Sequence, residues 1–148
     1  DVGNRGAVLR LSKVLAPDYE LLAGWASALA AGQTISPFHD LYLAPVLVDL
    51  VAELAILIAV DRANGIFQCT GAEDRNYVDL ARILVAENGG DGDLIQPISC
   101  RDANMPAAAR PRHTNLEMNR EREIWSIEAP DFNATARATI LAGNSSLA

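Results

Sequence analysis

The sequence predicts an α/β fold on three observations. Short apolar runs bounded by turn residues stand at 7–11 and 66–69, as buried strands do. Around them, apolar residues recur at helical spacing, placing them on one side of a helix. Strand and helix alternate along the chain, the order that builds a layered α/β domain.

In order, residues 7–11 (Ala-Val-Leu-Arg-Leu) read as a strand, and Pro17 lies beyond its end. Residues 18–31 read as a helix, with Leu21, Leu22, Trp25, Ala26 and Leu29 at helical spacing and Gly32 as its stop. The central stretch, 36–71, is a short extended segment, an apolar run from Val46 to Val60, and a strand ending at Cys69. The helix in that run carries Asp49 and Glu53 on one face near its start, where the dipole favours carboxylates. The rest of its circumference is apolar, which predicts a core helix packed on most sides. The run falls short of the about 20 apolar residues of a membrane span. Asp74 or Asn76 caps a helix over 77–87, and 88–92 is a glycine-rich loop. Residues 94–99 read as a short strand, and 101–114, with Pro106 and Pro111, as irregular chain. Asn119 caps a short helix through Trp125. Pro130 and Asp131 open a last helix bearing Phe132, Ala136 and Ile140, and Gly143 ends it.

At 148 residues the chain is long enough for one domain with a real core. Half its residues are hydrophobic and 21% charged, which fits a globular protein and not disorder. A net charge of −7 argues against a non-specific nucleic-acid binder. Cys69 and Cys100 are too few for a disulfide framework and read as buried thiols at strand ends. Reduced thiols, with no signal or transit segment in view, predict a cytoplasmic protein with no membrane partner. The chain opens on Asp1-Val2-Gly3-Asn4-Arg5-Gly6, without Met, and enters a strand at once. That predicts a piece of something longer.

No glycine-rich dinucleotide fingerprint, P-loop or nucleophile elbow is present. His39 and His113 are far apart, with no Cys or carboxylate at ligand spacing, so they read as surface or core histidines and no metal site is expected. Three places carry chemistry. Arg10 and Lys13, the only lysine, stand at the end of the first strand, and open α/β sheets bind ligands outside the carboxyl ends of their strands. Residues 40–45 (Asp-Leu-Tyr-Leu-Ala-Pro) set a charge, an aromatic and a proline beside the apolar run. Five of the eleven arginines lie between Arg101 and Arg122, and Arg110 and Arg112 flank Pro111 in a loop suited to an anion. Each place also has a plainer reading: a solvated lysine, a turn into a helix, a solvated loop.

The three places fall in order on one family. Residues 10–17 (Arg-Leu-Ser-Lys-Val-Leu-Ala-Pro) resemble the Arg-x-x-Asn-Val-Tyr-Gly-Pro element that follows the sixth strand of extended short-chain dehydrogenase/reductases. Residues 40–45 are similar to the Asp-Gln-x-Gly-x-Pro-Thr element of the dTDP-4-dehydrorhamnose reductase group, which belongs to the sugar-nucleotide-binding NAD-dependent epimerase/dehydratase proteins. Residues 65–71 resemble its Gly-Ile-Tyr-His-x-x-Gly strand. Residues 110–119 resemble Arg-Pro-x-x-Ser-x-Leu-Asp-x-Ser-Lys, and 127–132 the approach to the final helix. The resemblance covers nearly the whole chain. Lys13 departs from it, standing where the superfamily often has Asn and the rhamnose reductases Trp; Val46 replaces their Thr.

The resemblance implies the C-terminal, substrate-binding portion of a Rossmann-like extended reductase, with the N-terminal dinucleotide-binding half missing. Residues 1–71 would be the last sheet strands with part of the substrate pocket, and 72–148 a small α/β substrate-binding subdomain. It implies NAD or NADP in the parent protein and none bound by this chain alone. The catalytic Tyr-x-x-x-Lys pair would lie upstream, since Leu9 stands four residues before Lys13, so no catalytic residue is expected here. The parent would reduce or epimerise a nucleotide-linked 4-keto sugar. The implied substrate-binding residues are Arg10, Ser12, Lys13, Asp40, Tyr42, Pro45, Arg110 and Arg112. The expected partners are the nucleotide sugar and either the missing half or a second copy along an exposed sheet edge. The rival expectations are a non-catalytic protein of the same fold, resembling the regulatory subunit of methionine adenosyltransferase, and a free-standing interaction module.

Overall fold

A computed structural model describes residues 6–111 and 113–145. Its elements are β1 (Ala7–Leu11), β2 (Lys13–Leu15), α1 (Glu20–Ala30), β3 (Tyr42–Leu43), β4 (Pro45–Leu47), α2 (Val48–Val60), β5 (Gly65–Cys69), β6 (Arg75–Asn76), α3 (Tyr77–Asn88), α4 (Asn119–Trp125) and α5 (Phe132–Ser145). Short 3-10 turns stand at Gly92–Leu94 and Ala107–Ala109. β1 runs parallel to β5, with Val8 opposite Ile66, and β2 runs parallel to β4, with Lys13 opposite Pro45. β3 and β6 form an antiparallel pair, Tyr42 opposite Asn76. The parallel pairing of the first and central strands is the α/β arrangement the alternation predicts.

Ser12 is the joint between β1 and β2. Its N–H donates to the Cys69 carbonyl at 3.0 Å and its hydroxyl to the Ala44 carbonyl, so the chain leaves β5 and turns onto β4 without stranding a polar group. Gly71 meets the same corner, donating its N–H to Ala44; a Cβ there would stand 2.8 Å from the Pro45 carbonyl oxygen.

Two hydrophobic clusters form. One gathers Leu22, Leu43, Leu80, Leu84, Phe132, Ala136 and Ile140 from α1, β3, α3 and α5. The other gathers Val46, Leu54, Cys69 and Met118 beside the β1–β5 ribbon. Both draw on residues from either side of position 71.

The helices begin where their chemistry allows. The Asn76 side chain accepts from the Asp79 N–H at 3.0 Å and caps α3, leaving Asp74 for another role. Asp131 accepts from the Ala134 N–H at 2.9 Å and opens α5. Gly32, with φ of +69°, follows α1 as a left-handed stop.

Four expectations are corrected. α2 is not packed on most sides: only Leu54 and Ile58 are buried, while Ile56 and Val60 are 61% and 71% exposed. One helix face lies on the strands, and no described element covers the other. Residues 94–99 make no strand, and Cys100 therefore ends none; Ile35–Ile95 and Phe38–Ile98 are isolated parallel bridges. Pro37 and Pro97 lack the N–H groups a continuous ladder needs. Gly143 does not end α5, which runs to Ser145. It sits where a Cβ would stand 2.8 Å from the Pro17 carbonyl oxygen, so the glycine serves packing rather than termination. Asn119 does not cap α4: the capping position is Met118, and the Asn119 amide donates to Glu117.

α4 performs an unusual task on the outer edge of β5. The Glu121 carboxylate accepts from the Gln68 N–H at 2.6 Å, and the Met118 sulfur accepts from the Thr70 N–H at 3.4 Å. The Arg120 guanidinium donates to the carbonyls of Ile66 at 3.2 Å and Asn64 at 2.8 Å, and lies 4.0 Å from the Phe67 ring. Side chains of a helix thus satisfy the edge as a neighbouring strand would. Gly65 supports it with a φ of +100°, and Arg120 Nη1 lies 2.8 Å from where a Cβ would stand. Both cysteines are free and buried. Burial, with Glu121 beside it, pushes the Cys69 thiol up to about 11.

Candidate functional site

An open cleft of about 730 Å³ is lined by Asp40, Tyr42, Asp74, Ala107, Arg110 and His113. Its far wall is the loop from Ser99 to Asn115, and two aspartates hold that loop at its ends. Asp40 accepts from the Cys100 N–H at 2.7 Å and the Ser99 hydroxyl at 3.1 Å. Asp74 accepts from the Thr114 N–H at 2.8 Å, the Thr114 hydroxyl at 2.6 Å and the Asn115 N–H at 3.1 Å, and His113 Nδ1 stands 3.5 Å from its other oxygen. Next along the chain, the Leu116 N–H donates to the Thr70 hydroxyl at 3.1 Å, tying the loop's exit to the end of β5.

These bonds set the charge states. The Cys100 N–H holds the Asp40 carboxyl at about 2; burial opposes the shift, and Ser99 and His39 add to it. Burial pushes Asp74 upward, but the Thr114, Asn115 and His113 donors outweigh it and leave the carboxyl below its ordinary value. Both are carboxylates at neutral pH. Burial and then Asp40 raise the Cys100 thiol, against an opposing pull from Arg110, so this cysteine stays a thiol.

Arg110 lies on the pinned loop, and its Nε is buried with no hydrogen-bond partner. A guanidinium is charged throughout the accessible pH range, so a buried N–H with nothing to donate to is an unmet demand for an acceptor. Arg110 lines the cleft, so an anion there meets a guanidinium and a polyol meets two carboxylates.

Of the residues singled out from sequence, the structure brings Asp40, Tyr42 and Arg110 into this cleft. The others stand elsewhere. Arg10 is exposed on β1, opposite Gln68. Ser12 is the joint between strands, and Pro45 is buried in β4. Lys13 lies over the Tyr19 ring, 4.8 Å from its centroid. Arg112 lies outside the described residues. Two cleft residues, Asp74 and His113, escape the sequence reading. Asp74 there has the look of a helix cap, and His113 has no ligand-spaced neighbour; only the fold, bringing together positions 39 residues apart, makes them a pair. No helix among the described residues is long and apolar enough to cross a membrane.

No curated protein sequence matches the chain. Solved structures do share its fold. The dTDP-4-dehydrorhamnose reductase of Yersinia enterocolitica superposes with a TM-score of 0.78 at 15% identity, over 93% of this chain and 49% of that one. The same enzyme from Bacillus anthracis, solved with NADP, gives 0.77 at 14% identity over 91% and 48%. UDP-glucose 4-epimerase from Thermotoga maritima, solved with UDP-glucose, gives 0.69 at 19% identity over 96% and 47%. The chain thus spans about half the length of these enzymes and has the Rossmann-like architecture of the extended reductases. The sequence pattern of the RmlD substrate binding domain matches residues 2–143, and the chain belongs to that family.

Proposed function

We propose that this chain is the substrate-binding part of an NAD(P)-dependent reductase or epimerase acting on a nucleotide-linked keto sugar, in the manner of dTDP-4-dehydrorhamnose reductase. The observation that carries the reading is Arg110 lining an open cleft, on a loop held by Asp40 and Asp74. Arg110 holds the diphosphate, Tyr42 packs against the ligand, and Asp40 fixes the loop that carries the arginine. Lys13, which opens β2, and Arg10, exposed on β1, are assigned to the sugar or its phosphate on the family resemblance. Ser12 and Pro45 act through the backbone, shaping the corner at Ala44.

NADH or NADPH would supply the hydride. No residue of this chain is assigned to it, because residues 1–148 contain neither a glycine-rich turn opening a helix nor a Tyr-x-x-x-Lys pair. The cofactor-binding half seats instead on the uncovered apolar surfaces of β1, β5 and α2, where Val8, Leu11, Ile56, Val60 and Ile66 are exposed. The test is Arg110→Ala in the full-length protein. The KM for a dTDP-linked 4-keto sugar should rise at least several-fold with kcat little changed, since a hydrogen bond to a charged group is worth about 1.5–3 kcal/mol. An unchanged KM removes Arg110 from the site.

A further inference from the structure

We infer that His113 is a second ligand-contacting group of this cleft, held in place by Asp74, and that it donates from Nε2 to the anionic part of the ligand. The inference rests on the nucleotide-sugar reading above and deepens it. An imidazole has two polar atoms. Here Nδ1 stands 3.5 Å from the Asp74 carboxylate, which is itself fixed by three further donors from Thr114 and Asn115. One side of the ring thus faces Asp74, and Nε2 is left for another partner. The side chain is 86% exposed, so a ligand in the cleft reaches it. Arg110 lines the same space.

Two donors on one cleft wall match a diphosphate, which has oxygens enough for both. The tautomer makes the contact conditional. With Nδ1–H directed at Asp74, a neutral ring has only a lone pair at Nε2, which a phosphate oxygen repels. The protonated ring has an N–H there and attracts it. Among the described residues, the other charged or titratable groups lining the cleft are Asp40, Asp74, Tyr42 and Arg110. Neither aspartate changes charge in the neutral range, because hydrogen bonds hold both below the ordinary carboxylate value. The pH-dependent contact is therefore the one at Nε2, where protonation of the ring adds a donor. Asp74 acts as a positioning residue and does not touch the ligand.

The experiment measures the affinity of the full-length protein for dTDP and for UDP at about pH 6 and about pH 8 by calorimetry. It compares wild type, Arg110→Ala, His113→Gln, His113→Lys and Asp74→Asn. Wild type should bind more tightly at the lower pH. His113→Gln should lose about tenfold there, little at the higher pH, and so flatten the profile. His113→Lys should also flatten it while keeping the tighter affinity, because its charge does not depend on pH in this range. Asp74→Asn should reduce the pH dependence with folding intact by circular dichroism. A wild-type pH dependence that survives in His113→Gln overturns the inference, as does equal affinity of the two proteins at the lower pH. If wild type binds neither diphosphate, or Arg110→Ala binds as well as wild type, the nucleotide-sugar reading itself fails. Loss on Arg110→Ala alone, with His113→Gln unchanged, leaves that reading standing and removes His113.

Discussion

The two hydrophobic clusters differ in how they are closed. The helical one is bounded by α1, α3, α5 and β3, and Phe132, Leu80 and Leu84 at its centre are at most 1% exposed. The cluster beside the β1–β5 ribbon is closed on one side only. There Val8, Leu11, Val48, Ile56, Val60 and Ile66 are between 40% and 71% exposed, although all are as apolar as the residues that fill the other lobe. Hydrophobicity alone does not bury a residue; a second surface of matching shape must meet it. The helical lobe supplies both surfaces from its own elements, and the sheet lobe supplies one. Large exposed apolar side chains of this kind, such as Val8 and Ile66 paired on one sheet face, mark surfaces that another stretch of chain covers.

The largest expected effect lies in the closed lobe. Phe132→Ala should cost about 3–5 kcal/mol in denaturant unfolding, because the ring is wholly buried in a cluster drawn from four elements. A loss below about 1 kcal/mol would mean the lobe can collapse and is no more closed than the other. Next is the edge that α4 covers. Glu121→Ala leaves the Gln68 N–H without its acceptor and should cost about 1–3 kcal/mol, with faster amide exchange at Gln68. Unchanged exchange there would show that water replaces the carboxylate and that the edge is not closed by the helix. The smallest effect belongs to the open face. Val60→Asp should change the stability of this chain by no more than about 0.5 kcal/mol. In a protein that carries the cofactor-binding half, the same change should weaken the seating of that half, read as a lower melting temperature. Equal, small effects in both settings would mean that nothing covers α2.

Much of the fold is legible in the sequence because the signals are local. The strands at Ala7–Leu11 and Gly65–Cys69 announce themselves by apolar runs between turn residues. α1, α3 and α5 do so by spacing, with Asn76 and Asp131 marking two of the starts. What escapes depends on partners distant in the chain. α2 reads as a core helix because composition records apolarity and not coverage. Gly143 reads as a stop because its real constraint, the Pro17 carbonyl, lies 126 positions away. In the cleft, Asp40, Tyr42 and Arg110 are legible from local chemistry and resemblance. Asp74 and His113 are not, since neither has meaning until the fold sets one against the other. Likewise Glu121 reads as one acid in the charged run 120–123, and only its place beneath β5 buries it to 1% exposure.

The edge covered by α4 also gives the sheet a direction. With the Gln68 and Thr70 amides and the Asn64 and Ile66 carbonyls already occupied, no strand can add beyond β5. β1 pairs with β5 alone among the described residues, so its far side is where this sheet can be extended. The ribbon behaves as the terminus of a one-ended polymer: blocked where α4 lies, receptive at β1. Any strand that joins is forced into a single order relative to the cleft. A helix of seven residues thereby sets which way the larger assembly is built.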